Sequence, residues 1–438
     1  MNLLYKIAVI GTGYVGLTTA IGLANFGSNV LGLDIDKNKI ALLQQGQMPI
    51  YETGMQEVLD KNVTAGRLKF SSDVEEGIQW ADVIFIGVGT PQGDDGHADL
   101  TALLTVAEII GTNLNDYKIV VTKSTVPVGT NERVWDVIQQ NNQKNIEFDI
   151  VSNPEFLREG KAMYDFLHPD RVVIGTNNER PIKAMKKIYR PLYLNEVPFV
   201  FTDLRTAEMI KYASNCFLAT KVAFINEVAR LCDTLGANVQ IVANAMGKDG
   251  RIGAKFLHPG PGYGGSCFPK DTHALAAIAN ANQLSLGIIE ATIESNRRQQ
   301  EYAAGRVLEA FGGNIQGKQI AILGLAFKSD TDDMRDAPSI IIVNELLKHG
   351  ANITVYDPQA MKNARAFWQD DIVYAANEYE AVANADAVVI LTEWNQFRNL
   401  DLVNIFGKMK GKKFFDFRNI YKRAEVEQVG GEYWGMGT

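Results

Sequence analysis

Lys6-Ile7-Ala8-Val9-Ile10-Gly11-Thr12-Gly13-Tyr14-Val15-Gly16 is the stretch on which the reading of the fold turns. The apolar run 7–10 is too short for a helix and suits a buried strand. Three glycines in a G-x-G-x-x-G pattern follow at once, and an apolar helical stretch begins behind them. In that context Gly11 makes the tight turn, Gly13 lets backbone amides approach a pyrophosphate, and Gly16 lets the helix pack on the strand. The helix N-terminus, with Val15 in its first turn, then presents N–H groups and a positive dipole end to the phosphates. Asp34 closes the next strand, at the distance of about 20 residues that the fingerprint requires. Its carboxylate is placed for the ribose hydroxyls of NAD and would repel the extra phosphate of NADP; Lys39 is a candidate contact on the adenosine side.

Outward from this unit, β-branched runs at 82–88, 119–123 and 148–152 alternate with helical segments, the pattern of a doubly wound parallel sheet. Thr90 lies in the loop after one strand, Lys123 and Thr125 after the next, and Glu155 and Glu159 after the third, so three loops face one sheet edge. The stretch 203–235 has no Pro or Gly and reads as one long helix capped by Asp203. A second helix-rich stretch, 272–311, is broken near Gly287. Strand signals return at 318–323, 352–357, 387–392 and 413–416. The expected architecture is α/β, two Rossmann-like doubly wound domains joined by a central helical region. The expected domains are an NAD-binding α/β domain at 1–202, a central helical region with the cysteine loop at 203–311, and a second, smaller α/β domain at 312–438. A cleft between α/β lobes is where cofactor and substrate would meet.

Composition narrows the function classes. The chain has 438 residues, 46% hydrophobic and 21% charged, which suits a globular protein with a real core rather than a disordered one. A net charge of −8 argues against a nucleic-acid partner, because phosphate neutralisation needs a basic face. No apolar run reaches the ~18 residues of a spanning helix, so no membrane partner is expected. Lys6 interrupts the apolar N-terminus, which reads as a strand rather than a signal peptide. Three cysteines form no paired framework in so large a chain, which fits a cytoplasmic setting. His97, His168, His258, His273 and His349 show no zinc spacing, so no metal is expected.

The densest chemical signal is Gly260-Pro261-Gly262-Tyr263-Gly264-Gly265-Ser266-Cys267-Phe268-Pro269-Lys270-Asp271. A glycine-rich loop delivers Cys267 to the start of a helix, with Pro269 in the first turn. A thiol beside a helix N-terminus and Lys270 is held closer to thiolate and can act as a nucleophile. Cys216 and Cys232, inside the long helix, read as small buried apolar groups. Lys211 and Asn215 are four apart and share a helix face. By themselves they read as a solvated stripe; aimed into a site, they would stabilise an alkoxide or tetrahedral oxyanion.

Taken together, the segments 11–16, 123–129, 153–160, 251–256, 264–271 and 324–335, with Lys211 and Asn215, resemble the nucleotide-sugar 6-dehydrogenase family over essentially the whole chain. The resemblance implies oxidation of a sugar C6 alcohol to a carboxylate with two NAD. Cys267 matches the nucleophile that passes through a thiohemiacetal and a thioester. Lys211 and Asn215 match oxyanion-stabilising groups, Asp271 a member of a proton relay, and Glu155 and Glu159 carboxylates near substrate and hydrolytic water. Thr125 matches a residue near the nicotinamide. Substrate contacts would fall on Glu155, Phe156, Leu157, Arg158, Glu159, Lys211, Asn215, Phe256, Leu257, His258, Pro259, Gly260, Gly264, Lys328 and Arg418. Cofactor contacts would include Glu159, Lys270 and Arg335. Arg251 matches a residue that reaches a neighbouring subunit's substrate, which implies a homodimer or higher homo-oligomer. Ser266 and the Lys270-Asp271 pair disfavour the N-acetylated-sugar branch. The continuation 159–162 points to UDP-glucose as substrate and UDP-glucuronate as product, with GDP-mannose the alternative. A simple two-electron dehydrogenase would leave Cys267 unexplained, and a non-catalytic sensor would have no need of Cys267, Lys211 and Asp271.

Overall fold

The apolar run that opens the chain forms β1 (Lys6–Ile10), and the helix Tyr14–Asn25 follows it across the glycine turn. The structure, a computed structural model, describes residues 5–93 and 96–438 and divides into two compact units, Met1–Ser214 and Asn215–Thr438.

The first unit is built on eight strands: β1, β2 (Asn29–Leu33), β3 (Leu68–Ser71), β4 (Val83–Ile86), β5 (Lys118–Thr122), β6 (Phe148–Ser152), β7 (Val172–Gly175) and β8 (Phe199–Thr202). Their order is β3-β2-β1-β4-β5-β6-β7-β8. Strand order reverses between β1 and β4, the switch point beside which ligands bind in open α/β sheets. Residues alternate between the two faces. Ile7, Val9, Phe85 and Val121 join one apolar cluster, while Ala8, Ile10, Ile84 and Val120 join the other. Central parallel strands are covered on both sides and therefore read as continuous apolar runs.

The sheet departs from the expected all-parallel form, because β7 pairs antiparallel with β6 through Ser152 and Gly175. β3, β7 and β8 lie outside the expected strands, although β7 (Val172-Val173-Ile174-Gly175) and β8 (Phe199-Val200-Phe201-Thr202) are β-forming runs like that of β4. Each has four residues, and β8 is a partly exposed edge strand rather than a buried run.

In the second unit β9 (Gln319–Leu323), β10 (Asn352–Tyr356), β11 (Val373–Tyr374), β12 (Ala387–Ile390), β13 (Lys413–Asp416) and β14 (Glu432–Gly435) form a parallel sheet in the order β11-β10-β9-β12-β13-β14. This is the doubly wound order again, with the short β11 and β14 unexpected from sequence. Asp357 follows β10 as Asp34 follows β2, but its carboxylate accepts from the backbone N–H groups of Leu325, Ala326, Gln359 and Ala360 and from Trp394 Nε1. Those donors occupy the acceptor sites that ribose hydroxyls would need.

The long helix is Leu204–Leu235, and Asp203 accepts from Thr206 N at 2.9 Å at its start. The division between the compact units falls inside this helix, at Ser214 and Asn215. The second helix-rich stretch is two helices, Phe268–Ala281 and Gly287–Ala310, separated where Gly287 suggested a break. Among the described residues no helix is long and apolar enough to cross a membrane.

Candidate active site

Each unit carries one part of the chemistry. In the first, Gly11 has φ +93°, and a Cβ there would lie 2.8 Å from the Gly87 carbonyl oxygen. A Cβ on Gly16 would lie 1.8 Å from the Gly11 oxygen, whereas one on Gly13 would meet nothing within 4 Å. Two glycines are thus required by packing, and the third leaves open space above a helix start that no side chain caps. That is the cradle a pyrophosphate needs. Asp34 accepts from Thr12 N and Thr12 Oγ1, both at 2.8 Å, and pairs with Lys39 at 3.2 Å. Burial pushes its pKa up, but these bonds and the Asp36 amide outweigh burial and hold it below the usual range. An anionic carboxylate therefore stands at the end of β2, beside the glycine turn. Tyr14 also donates to Glu52, which accepts from the Gly160 and Ala162 amides at 2.7 and 2.8 Å, joining the glycine turn to the loop after β6.

β1, β4, β5 and β6 run parallel in register, so the loops behind them share one edge. Thr90 Oγ1 donates to the Thr125 carbonyl at 2.7 Å, tying two of these loops together. From the third, Glu155 accepts from the Leu157 amide and forms an ion pair with Lys211 at 3.0 Å; both side chains are at most 5% exposed. Burial alone would raise the Glu155 pKa. Lys211, the Leu157 amide and Lys123 overcome it, so Glu155 is held as a carboxylate.

In the second unit Cys267 stands at the N-cap position of the helix Phe268–Ala281, half-buried and making no side-chain cap bond, with Ser266 Oγ 3.6 Å from its sulfur. One turn on, the buried Asp271 accepts from Asn215 Nδ2 at 2.6 Å and from Lys270, and its own amide donates to the Cys267 carbonyl at 2.9 Å. The glycine loop is locked from several sides. Asn226 and Gln299 bind the Gly260 amide and carbonyl at 2.8 and 2.7 Å, and Asn296 binds both backbone groups of Tyr263. A Cβ on Gly264 would lie 2.2 Å from the Asp336 carbonyl oxygen, and Gly265, at φ +83°, donates to the Arg335 carbonyl at 2.8 Å. Cys216 behaves differently: burial, then the nearby Asp271, push its thiol up to about 12.

Close to this loop lies a cavity of about 810 Å³ lined by Leu257, His258, Pro259, Arg418, Glu393 and Lys248, among others. Arg418 is fixed there by the Leu391 and Phe327 carbonyls at 2.6 and 2.9 Å and by Glu393 at 3.1 Å. A planar cation held rigidly beside a cavity suits a diphosphate or a nucleobase.

Sequence comparison assigns these parts. The NAD binding domain of the UDP-glucose/GDP-mannose dehydrogenase family matches residues 5–193, its central domain residues 205–298, and its UDP binding domain residues 321–423. The chain belongs to the UDP-glucose/GDP-mannose dehydrogenase family. It is 49% identical to a UDP-glucose 6-dehydrogenase of Rhizobium meliloti over 435 residues, covering 99% of each chain. It is 45% identical to a UDP-glucose 6-dehydrogenase of Bacillus subtilis, covering 99% of this chain and 97% of that one. The solved structure of a UDP-glucose dehydrogenase from Pyrobaculum islandicum superposes with a TM-score of 0.92 at 36% identity, covering 99% of this chain and 98% of that one. The first unit, which carries the glycine turn and Asp34, is accordingly the family's NAD binding domain.

Within this family member, the expected residues fall into groups. Gly11, Gly13, Val15, Gly16, Asp34, Lys39, Thr90, Thr125, Glu155, Glu159 and Lys211 belong to the first unit. Asn215, Gly260, Gly264, Cys267, Lys270 and Asp271 assemble in the second, with Leu257, His258, Pro259 and Arg418 at the cavity. The Phe156 ring lies against Arg171 and Lys211, at 3.4 and 5.3 Å, and the Phe256 ring is 5.9 Å from that of Phe268. Lys328 sits over the Phe327 ring at 5.4 Å. Two arginines are turned onto neighbours: the Arg158 guanidinium binds Asp165, and that of Arg335 binds Asp333. Arg251, 90% exposed at its side chain, holds Asp249. Sequence reasoning missed Glu52, Asn226, Asn296 and Gln299, and placed Lys123 in a site loop without giving it a role. Asn296, Gln299 and Gln300 do leave a signal, as polar residues at i, i+3 and i+4 on the buried face of Gly287–Ala310. Glu52 leaves none, because its partners Tyr14, Gly160 and Ala162 all lie far from it in sequence.

Proposed function

We propose that the protein oxidises the C6 alcohol of UDP-glucose to the carboxylate of UDP-glucuronate, reducing two NAD per turnover. The observation that carries this reading is the rigid glycine loop holding Cys267 at a helix start, one turn from the Asp271–Asn215 pair. Bound NAD supplies the hydride acceptor, once at the alcohol level and once at the thiohemiacetal level. Lys211 stabilises the alkoxide and later oxyanions, because a buried ammonium acts more strongly on developing charge than one in water. The Cys267 thiolate adds to the aldehyde carbon, and the carbonyl oxygen takes up a proton to give the thiohemiacetal. After the second oxidation the product is a thioester on Cys267. Water activated by Glu159 adds to it, the carbon–sulfur bond breaks, and the thiolate is restored. Asp271, held by Asn215 and Lys270, relays protons beside the sulfur. Glu155 stays anionic and orients Lys211. In balance, one alcohol, one water and two NAD give one carboxylate, two NADH and three protons.

Arg418, with the 256–260 loop, binds the nucleotide, Lys328 and Gly264 contact the substrate, and Lys270 and Arg335 contact the cofactor. UDP-glucose is favoured over GDP-mannose by the 159–162 continuation and by the relatives' activities, and over N-acetylated sugars by Ser266 with Lys270-Asp271. Phe217, Phe224 and Leu231, spaced seven apart on the long helix and 65, 49 and 58% exposed, support a homodimer in which Arg251 completes the partner's site. UDP-glucose, GDP-mannose and UDP-N-acetylmannosamine, each offered with NAD, test the assignment. Only UDP-glucose should turn over efficiently, with two NADH per sugar acid; one NADH per sugar, or a preference for GDP-mannose, would contradict it.

A further inference from the structure

Lys123 directly follows β5, is 6% exposed, and has no part in the reaction sequence above. Its ammonium makes only long bonds, to Asn153 Oδ1 at 3.3 Å and the Pro154 carbonyl at 3.5 Å. Asn153 is itself fixed, accepting from Tyr189 at 2.7 Å and donating to the Val173 carbonyl at 2.7 Å. Two charged groups face Lys123: the Glu155 carboxylate from the loop after β6, and the Lys211 ammonium from the long helix. Glu155 in turn faces Lys211, Lys123 and the half-buried Arg171.

A buried carboxylate with a single ammonium partner tolerates the pair but not its separation, because breaking it leaves an uncompensated buried charge. On the reading proposed above, Lys211 must turn part of its charge toward a developing oxyanion at the moment of reaction. Arg171 is half-buried and lies over the Phe156 ring, so Lys123 is the buried second cation near Glu155, and without it that shift would be opposed by the carboxylate left behind. We propose that Lys123 is a positioning residue for the oxidation: its buried ammonium compensates Glu155 and so releases Lys211 to the substrate oxyanion. Burial, together with the like charge of Lys211 and against the attraction of Glu155, brings Lys123 down to about 8. A lowered lysine is charged below that value and neutral above it. The contribution is therefore present at neutral pH and fades as pH rises through about 8.

The test compares wild type, Lys123→Met and Lys123→Arg with UDP-glucose and NAD, using NAD titration to show that each variant is folded. The Met variant should lose about tenfold or more in kcat, with KM for UDP-glucose changed by less than about threefold. The wild-type decline in kcat near pH 8 should be absent from its profile. The Arg variant, charged throughout, should recover much of the lost kcat and hold it past that pH. A residue that merely filled space would lower thermal stability without separating kcat from KM or moving the pH limb. A folded Met variant with wild-type kcat and an unchanged limb overturns the inference while leaving the UDP-glucose reading intact. If neither variant folds, the wild-type profile decides: a decline near pH 8 supports the inference and a flat kcat from about pH 7 to 9 overturns it. A wild type that does not oxidise UDP-glucose overturns the reading and this inference with it.

Discussion

Asp34 and the two kinds of cysteine show how environment assigns roles to residues of one type. Cys216 is pushed up to about 12 by burial and stays a thiol, while Cys267 stands half-buried at a helix start with a hydroxyl beside it. Both settings were legible, because an apolar helix interior and a glycine-rich loop are different sequences. Asp34 was legible too, but its pairing with Lys39 was not. That pairing sharpens a prediction. Removing the carboxylate in Asp34→Ala removes repulsion of a 2′-phosphate and leaves Lys39 to receive it. Relative kcat/KM for NADP over NAD should rise by about tenfold, or ~1.4 kcal/mol. Cofactor titrations with both nucleotides check this, and equal efficiency of NAD and NADP in wild type would contradict the role of Asp34. The polar pair on the long helix illustrates the limit of residue-level reading. Lys211 and Asn215 look like a solvated stripe by spacing, yet they are 3 and 6% exposed, whereas Phe217 and Phe224 face outward. Helix periodicity gives which residues share a face, not which face is covered.

The exposed apolar stripe of the long helix is an element with an unfilled requirement. Phe217, Phe224 and Leu231 recur every seven residues, the spacing of a helix seam, and Leu235 continues the apolar end at 70% exposure. In a two-fold interface each residue meets its own copy or a near neighbour, so a single substitution acts twice. Phe224→Asp would bring two carboxylates into such a seam. It should shift the assembly to monomer in analytical ultracentrifugation and lower kcat/KM at least about tenfold by withdrawing Arg251 from the partner site. A variant that remains assembled and fully active would remove this helix from the interface. Strands divided along similar lines. The continuous apolar runs of β1, β4, β5, β9 and β12 could be read directly, since both faces of a central strand are covered. β7 and β8 are runs of the same β-forming kind and could be read the same way, whereas β3, β11 and β14 hold at most two consecutive apolar residues, so their pairing depends on tertiary context.

Over the whole molecule, the sequence conveyed two doubly wound sheets and a helical stretch between them, together with the loops proposed to carry the chemistry. It did not convey the polar scaffolding behind those loops. Glu52 joins the glycine turn to residues 160–162, and Asn226, Asn296 and Gln299 clamp the cysteine loop, all through contacts distant in sequence. The second sheet repeats the topology of the first but fills its Asp357 carboxylate with backbone and indole donors, so one sheet serves the cofactor and the other the nucleotide. The central claim is that Cys267 carries the sugar covalently between two oxidations. Its most direct test is Cys267→Ala, assayed by NAD and UDP-glucose titration and by chromatography of the products. The account expects a variant that binds NAD and UDP-glucose as wild type does and releases no UDP-glucuronate. Formation of UDP-glucuronate by that variant at a near wild-type rate would contradict it.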